Sequence, residues 1–166
     1  MVAANYVAFT APINPPSASP QLTIENIWPL LQRKIRRAED FVGAAIRSTD
    51  VISQSSTPAG QPVTVREVVF HEGDRRVREE CVEFWPMKVE FHQPDGSKVQ
   101  NIISEGAGGE LYMTYTFEWL HPELEGNQSA LVEKQAKEKA MAKTAVESTI
   151  VAMREMVKDG RWKETV

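Results

Sequence analysis

Cysteine is almost missing from this chain: Cys81 stands alone among 166 residues. A lone thiol excludes an internal disulfide and a cysteine-built metal site, and it fits a reducing compartment. Its place in a valine-rich strand pattern reads as a buried, inert thiol rather than a nucleophile. A basic excess is missing too. The 19 lysines and arginines face 23 acidic residues, for a net charge of −4. Phosphate backbones need the opposite balance, so nucleic acid is not an expected partner. No stretch approaches the roughly 18 consecutive apolar residues of a membrane helix, so no membrane insertion is expected. The start, MVAANYVAFTAPINPP, lacks the basic head and long apolar centre of a secretory signal, which makes the expected location cytoplasmic. His71, His92 and His121 fall at a turn, on an outward strand position and in a loop, with no metal-ligand spacing. Gly106-Ala107-Gly108-Gly109 lacks the helix and lysine that follow a phosphate loop, and no Gly-x-Ser-x-Gly elbow occurs. No metal and no cofactor are expected.

What is present is an ordinary globular composition, 42% hydrophobic and 25% charged, in a length that fits one domain over residues 1–166. Tyr6–Pro12 alternates as a short strand. The proline- and serine-rich PINPPSASPQ that follows cannot be helix. Thr23 is placed to cap a helix whose apolar stripe is Ile24, Ile27, Trp28, Leu31 and Ile35. Pro29 should break or kink that helix. The basic run Arg33, Lys34, Arg36, Arg37 reads as its solvated face, with an anion site as the alternative. Strand patterns then cover Ala45–Gln54, both arms of the hairpin around Glu72-Gly73-Asp74, Lys88–Gln93, Ser97–Glu105 and Glu110–Trp119. From Asn127 to Asp159 runs a long helix, with Gly160 just beyond its end. Its inner face is expected to carry Val132, Ala136, Ala140, Lys143, Val146, Ile150, Met153 and Val157. Antiparallel strands with helices gathered on one face make an α+β fold. A curved sheet gripping one long helix would leave an apolar cavity between them, the kind of space that small molecules occupy.

Side chains alternate across a strand, so parity assigns faces. In the last strand Leu111, Met113, Tyr115, Phe117 and Trp119 form the apolar set. A two-residue turn at Asp95-Gly96 sets Phe91 against Gln100 and Val89 against Ile102. A four-residue GAGG loop sets Ser104 against Leu111 and Ile102 against Met113. Both registers place Val89, Phe91, Gln100, Ile102, Ser104, Leu111, Met113 and Tyr115 on one surface, and Phe117 shares the apolar face of the last strand. In the hairpin, a loop of His71–Asp74 sets Arg66 directly opposite Glu79, on a face shared with Val68, Phe70, Val77 and Cys81. An odd loop would set Glu67 against Glu79, a repulsive pair, so the even loop is preferred. Which face of this hairpin points inward is left open by apolarity alone. If the Arg66–Glu79 face does, the guanidinium can anchor a ligand oxygen and the carboxyl can move a proton. If it does not, the pair is a surface contact of little consequence.

The runs VREVVF, VREECVEFWP, QNIISE, GGELYMTYTFEW and STIVAMREMVKDG resemble the AtaL-like family. That family belongs to the helix-grip superfamily of START lipid-transfer domains, birch-pollen-allergen-like proteins and aromatic polyketide cyclases. The resemblance covers nearly the whole chain. Matching positions include Trp28, Phe41, Arg66, Glu67, Glu79, Asn101, Gly109, Glu110, Leu111, Ile150, Arg154 and Gly160, while Pro29 and the proline-rich insertion before it depart from the pattern. The resemblance implies a helix-grip fold of about seven strands with a pocket for a small hydrophobic or aromatic molecule. It carries no agreed catalytic residues, since the superfamily places its chemistry differently from member to member. The expected function is cofactor-independent cyclisation, dehydration or isomerisation of a polyketide-like intermediate. Arg66, Glu79 and Tyr115 would be the catalytic groups, and Trp28, Val68, Phe70, Cys81, Phe91, Gln100, Ile102, Ser104, Met113 and Phe117 the ligand lining. A non-catalytic carrier of a hydrophobic metabolite, and an interaction module whose long helix contacts a partner protein, with the basic run after Trp28 as its only support, are the alternatives. A monomer or homodimer is expected.

Overall fold

In a computed structural model, which describes all 166 residues, seven strands form one antiparallel sheet. They are β1 (Ala4–Pro12), β2 (Ile46–Ser56), β3 (Pro62–Phe70), β4 (Arg76–Phe84), β5 (Lys88–His92), β6 (Lys98–Glu105) and β7 (Leu111–Leu120). The order across the sheet is β1-β7-β6-β5-β4-β3-β2. The chain therefore crosses from one edge to the other between β1 and β2. It does so through α1 (Ile24–Arg36) and α2 (Glu39–Val42), while α3 (Gln128–Asp159) follows β7 and packs on β1 and β7. One apolar cluster joins α1, the sheet's inner face and α3, and it includes Ile27, Leu31, Phe91, Met113, Val146 and Met153. This is the helix-grip arrangement: a curved sheet wrapped on a terminal helix. No helix is long and apolar enough to cross a membrane.

Helix α1 begins where expected. Thr23 and Asn26 form a capping box. Pro29 does not break it, however: the helix runs unbroken from Ile24 to Arg36. The carbonyl that loses its partner to Pro29 belongs to Glu25 in the first turn, and Glu25 is exposed, so water can replace the lost bond. What holds α1 down is the burial of Ile27, Leu30, Leu31 and Ile35, each 1% exposed or less. Each contributes about 1.5–3 kcal/mol on burial. The proline-rich segment before α1 is irregular, as expected. Asn14 brackets it by exchanging two hydrogen bonds with the Leu22 backbone, and Arg154 of α3 donates to the Ile13 and Pro20 carbonyls.

The carboxyl-terminal half of α3 follows the expected stripe, with Val146, Ile150 and Met153 buried. Its first half does not. Val132, Ala136, Ala140 and Lys143 are exposed, and Glu138 and Ala142 turn inward instead. The reason is polar. The Glu138 carboxylate accepts from Asn5 Nδ2 at 2.7 Å and pairs with His121 Nε2 at 2.7 Å, and all three residues are buried. This clasp ties β1, the end of β7 and α3 together, so His121, though in a loop, is an interior group. At the other end Gly160 takes φ 85° as the left-handed residue after the helix.

Candidate functional site

The site begins with the β3–β4 hairpin. Phe70 N donates to Arg75 O across a four-residue loop, His71–Asp74, which sets Arg66 directly opposite Glu79 as the even-loop parity requires. Both side chains point inward, with Arg66 4% and Glu79 6% exposed. Arg66 Nε and Nη2 donate to Glu79 Oε2 at 2.8 and 2.6 Å. Arg66 Nη1 donates to the Lys34 and Ile35 carbonyls at 2.8 and 3.0 Å. Gln93 Nε2 donates to Glu79 Oε1 at 3.2 Å. The guanidinium thus caps the carboxyl-terminal turn of α1, where backbone carbonyls lack helical partners. Burial alone would lower the Arg66 pKa, but Glu79 beside it overrides that and holds the charge more firmly than usual. With every guanidinium nitrogen engaged, Arg66 has no open fork for a ligand carboxylate.

Two neighbouring hairpins correct the expected lining. The β5–β6 connection is a five-residue loop in which Gln93 N donates to Ser97 O, so Phe91 pairs with Val99 and Val89 with Asn101. The β6–β7 connection also has five residues, with Gly106 N donating to Glu110 O, so Ile103 pairs with Met113 and Asn101 with Tyr115. Gln100, Ile102 and Ser104 therefore face outward. Gln100 bonds Glu90 there, and Ser104 is exposed. The inward residues of β6 are Val99, Asn101 and Ile103.

Asn101 and Tyr115 converge on a group that the sequence pattern assigned to solvent. Lys34 of α1 is 6% exposed. Its Nζ lies 2.8 Å from Asn101 Oδ1 and 2.8 Å from Tyr115 Oη. It also sits 4.4 Å from the Tyr115 ring centre and 6.0 Å from that of Phe91, and the Arg66 guanidinium lies 4.8 Å from the same Phe91 ring. No carboxylate lies within ion-pair distance of Lys34; the carboxylate in this region, Glu79, is bound to Arg66. Burial first, and then the Arg66 charge, push the Lys34 pKa down to about 7. Burial raises the Tyr115 phenol well above its ordinary range, so it stays protonated. Thr149 of α3 lies beside the Tyr115 hydroxyl but outside hydrogen-bond geometry, and its own buried Oγ1 has no partner. Arg33 is also interior. It binds Asp40 at 2.9 Å and Glu164 at 3.3 Å. Arg33 and Lys34 are thus buried, whereas Arg36 is half-buried and Arg37 exposed, so the basic run is split between the interior and the surface and gives an interaction module weaker support than four solvated charges would.

The remaining lining residues divide. Phe91, Met113, Phe117, Cys81 and Trp28 are buried in the main apolar cluster with Tyr115. Val68 and Phe70 lie further along the same strand face, in a separate small cluster with Ala38 and Ile46 under α2. Cys81 is fully buried, and burial pushes its thiol up to about 12. At pH 8 its thiolate fraction is roughly 10³-fold below that of an exposed cysteine, so alkylation by iodoacetamide is expected to be slower by that order in the folded chain than in urea. Side chains fill the space between sheet and helices around Lys34. Recesses of about 260 and 270 Å³ lie elsewhere, one between Met1–Ala3 and Leu124–Leu131, the other along Tyr6–Ala8 and Thr116–Glu118.

The family pattern described as acetylaranotin biosynthesis cluster protein L, AtaL, matches residues 7–160. The chain belongs to the AtaL family. Among curated proteins there is no sequence match. Solved structures share the fold at low identity. The di-domain ARO/CYC StfQ from the steffimycin biosynthetic pathway superposes with a TM-score of 0.65 at 7% identity, covering 96% of this chain and 52% of that one. Norcoclaurine synthase from Thalictrum flavum, in complex with dopamine and hydroxybenzaldehyde, gives 0.61 at 9% identity, covering 99% and 91%. Ara h 8.0201 gives 0.56 at 12%, covering 94% and 99%. The AtaL-family chain spans about half the length of StfQ and of a second di-domain ARO/CYC, BexL.

Proposed function

We propose that this AtaL-family protein binds a small hydrophobic or aromatic ketone and moves protons on it, catalysing a cyclisation, dehydration or isomerisation in natural-product biosynthesis without a cofactor. The observation that carries the reading is Lys34: a buried amine with no anionic partner, 2.8 Å from a phenol and 2.8 Å from an amide oxygen. A lysine that titrates near neutrality can take a proton from carbon α to a carbonyl and return it elsewhere. Tyr115 Oη is the donor to the carbonyl oxygen as charge develops, and Asn101 Oδ1 holds the amine in place. Arg66 and Glu79 act at one remove, by fixing the turn of α1 that carries Lys34. The family description supports a biosynthetic setting, as does the shared fold of StfQ, from the steffimycin biosynthetic pathway, and norcoclaurine synthase holds aromatic compounds on the same fold. Binding requires the side chains packed over Lys34 to part.

A direct test uses β-tetralone, a bicyclic aromatic ketone, in deuterated buffer at pH 7.5. Tryptophan fluorescence reports binding and proton NMR reports exchange of the α-protons. The native protein should accelerate exchange, and Lys34→Met should lose roughly 10²–10⁴-fold of that acceleration. Binding without exchange in the native protein would make it a carrier and overturn the catalytic reading. Absence of binding would overturn both.

A further inference from the structure

The proposed site holds more than a proton shuttle needs. A base requires one nitrogen and a route for its proton. Here a buried amine, a phenol, an amide oxygen and an unpartnered hydroxyl meet inside the apolar cluster that includes Phe91, Met113 and Phe117. Thr149 Oγ1 is fully buried and unpartnered, a state that costs about 1–3 kcal/mol unless a ligand oxygen relieves it. A cationic neighbour and a dry surrounding are the two conditions that turn a lysine into a nucleophile toward carbonyl carbon. Arg66 supplies the first, since it lies against the opposite side of the Lys34 turn and shares the Phe91 ring with the amine. The apolar cluster supplies the second.

We infer that Lys34 is a covalent nucleophile whose ligands are β-dicarbonyl compounds, with the first carbonyl taken by the amine and the second oxygen received by Thr149. This inference rests on the acid–base reading above and deepens it. The neutral Lys34 nitrogen adds to one carbonyl carbon, forming a C–N bond and opening the C=O bond to a carbinolamine. Tyr115 Oη, which touches Nζ, protonates the departing oxygen, and the C–O bond breaks to release water. The iminium then loses a proton from the carbon between the two carbonyls, which restores the tyrosine proton. The net change is amine plus β-diketone giving enaminone plus water, with no oxidant or reductant. Asn101 Oδ1 accepts the remaining N–H throughout.

Acetylacetone is the probe. At pH 7 Lys34 is about half neutral, whereas a lysine in water is almost wholly protonated. The difference favours Lys34 by roughly 10³-fold in free amine. The expected result is one enaminone chromophore per chain, located on Lys34 by peptide mass mapping and absent from Lys34→Met. In Tyr115→Phe the adduct should form roughly 10²-fold more slowly while reaching the same end point. Lys34→Arg keeps the cation without the nucleophile; circular dichroism checks that it is folded, and it should give no chromophore. No adduct on Lys34, or adducts spread over exposed lysines at the rate of free lysine, would overturn the covalent role. If β-tetralone exchange persists in that case, Lys34 is a base alone and the proposed function stands. If exchange is also absent, both fail.

Discussion

Glu79→Ala is expected to cost the fold about 3–5 kcal/mol, the range for removing one member of a buried ion pair. The loss is not the worth of the pair. It is the charge left behind, since Arg66 would keep two backbone acceptors on α1 and lose the carboxylate that accepts from its other two nitrogens at 2.6 and 2.8 Å. Gln93 would lose its acceptor as well. Replacing both charges, as Arg66→Met with Glu79→Leu, removes the stranded cation while keeping apolar volume against Phe91. The double variant should therefore cost less than the sum of its singles by at least about 1 kcal/mol. Urea midpoints with an unchanged slope measure both quantities. A Glu79→Ala chain within about 1 kcal/mol of the native one would mean that water reaches the pair, and the account of α1 as anchored by Arg66 would fail.

The hairpins show what could be read in advance and what could not. Arg66 and Glu79 were legible because both their register and the repulsion in its alternative favoured a four-residue loop. The next two hairpins carried equally strong turn signals and misled. Asp95 and Gly96 do turn the chain, with Gly96 at φ 92° and Asp95 Oδ1 accepting from Ser97 N at 2.8 Å. They sit inside a five-residue loop, however, not at the centre of a two-residue one. Glu110 likewise belongs to the loop before β7, its carboxylate accepting from Gly108 N at 2.8 Å. Each loop holds an odd number of residues where its glycines suggest an even one. The two errors cancel between β5 and β7, so Phe91, Met113 and Tyr115 kept their correct face while β6 alone was reversed. Agreement between the two turns could not reveal this, because a shared slip preserves agreement. Asn101 was lost to the site by that slip, although it stood among the positions that matched the family pattern.

Lys34 was missed for a different reason. It lies seven residues from Ile27 and three from Leu31, on the buried stripe of α1, and spacing alone would have placed it inside. Its charge argues against that place, since lysine is seldom buried without a partner. The chain meets that rule only in part: two neutral oxygens and the Tyr115 ring take the place of a carboxylate. Those partners come from β6 and β7, far away in sequence, so only tertiary structure could supply them. The depressed pKa is the physical mark of that incomplete compensation, and it is what the proposed chemistry draws on.

That same mark makes Lys34→Met a stability test with a definite sign. The unfolded chain holds the lysine proton to about pH 10, whereas the folded chain gives it up near 7. Between these values the unfolded state binds more protons, so this group makes stability rise with pH. Below about 7 both states carry the charge and the folded one bears the full burial cost; above about 10 neither carries it and the cost is gone. The methionine variant has no such slope. Other groups that titrate here, Cys81 included, are common to both chains, so the difference between them isolates position 34. The native chain should gain on Lys34→Met by about 3–4 kcal/mol between pH 6.5 and 9.5, at no more than about 1.4 kcal/mol per pH unit. At the acid end the variant should be the more stable of the two, because it buries an apolar chain where the native protein buries a charge. At the alkaline end the hydrogen bonds to Asn101 and Tyr115 should return the advantage to lysine. Urea unfolding at pH 6.5, 8 and 9.5 reads the trend, and a flat difference across that window would show that the amine titrates as an ordinary exposed lysine, which would remove the basis for both its proton-transfer and its covalent chemistry.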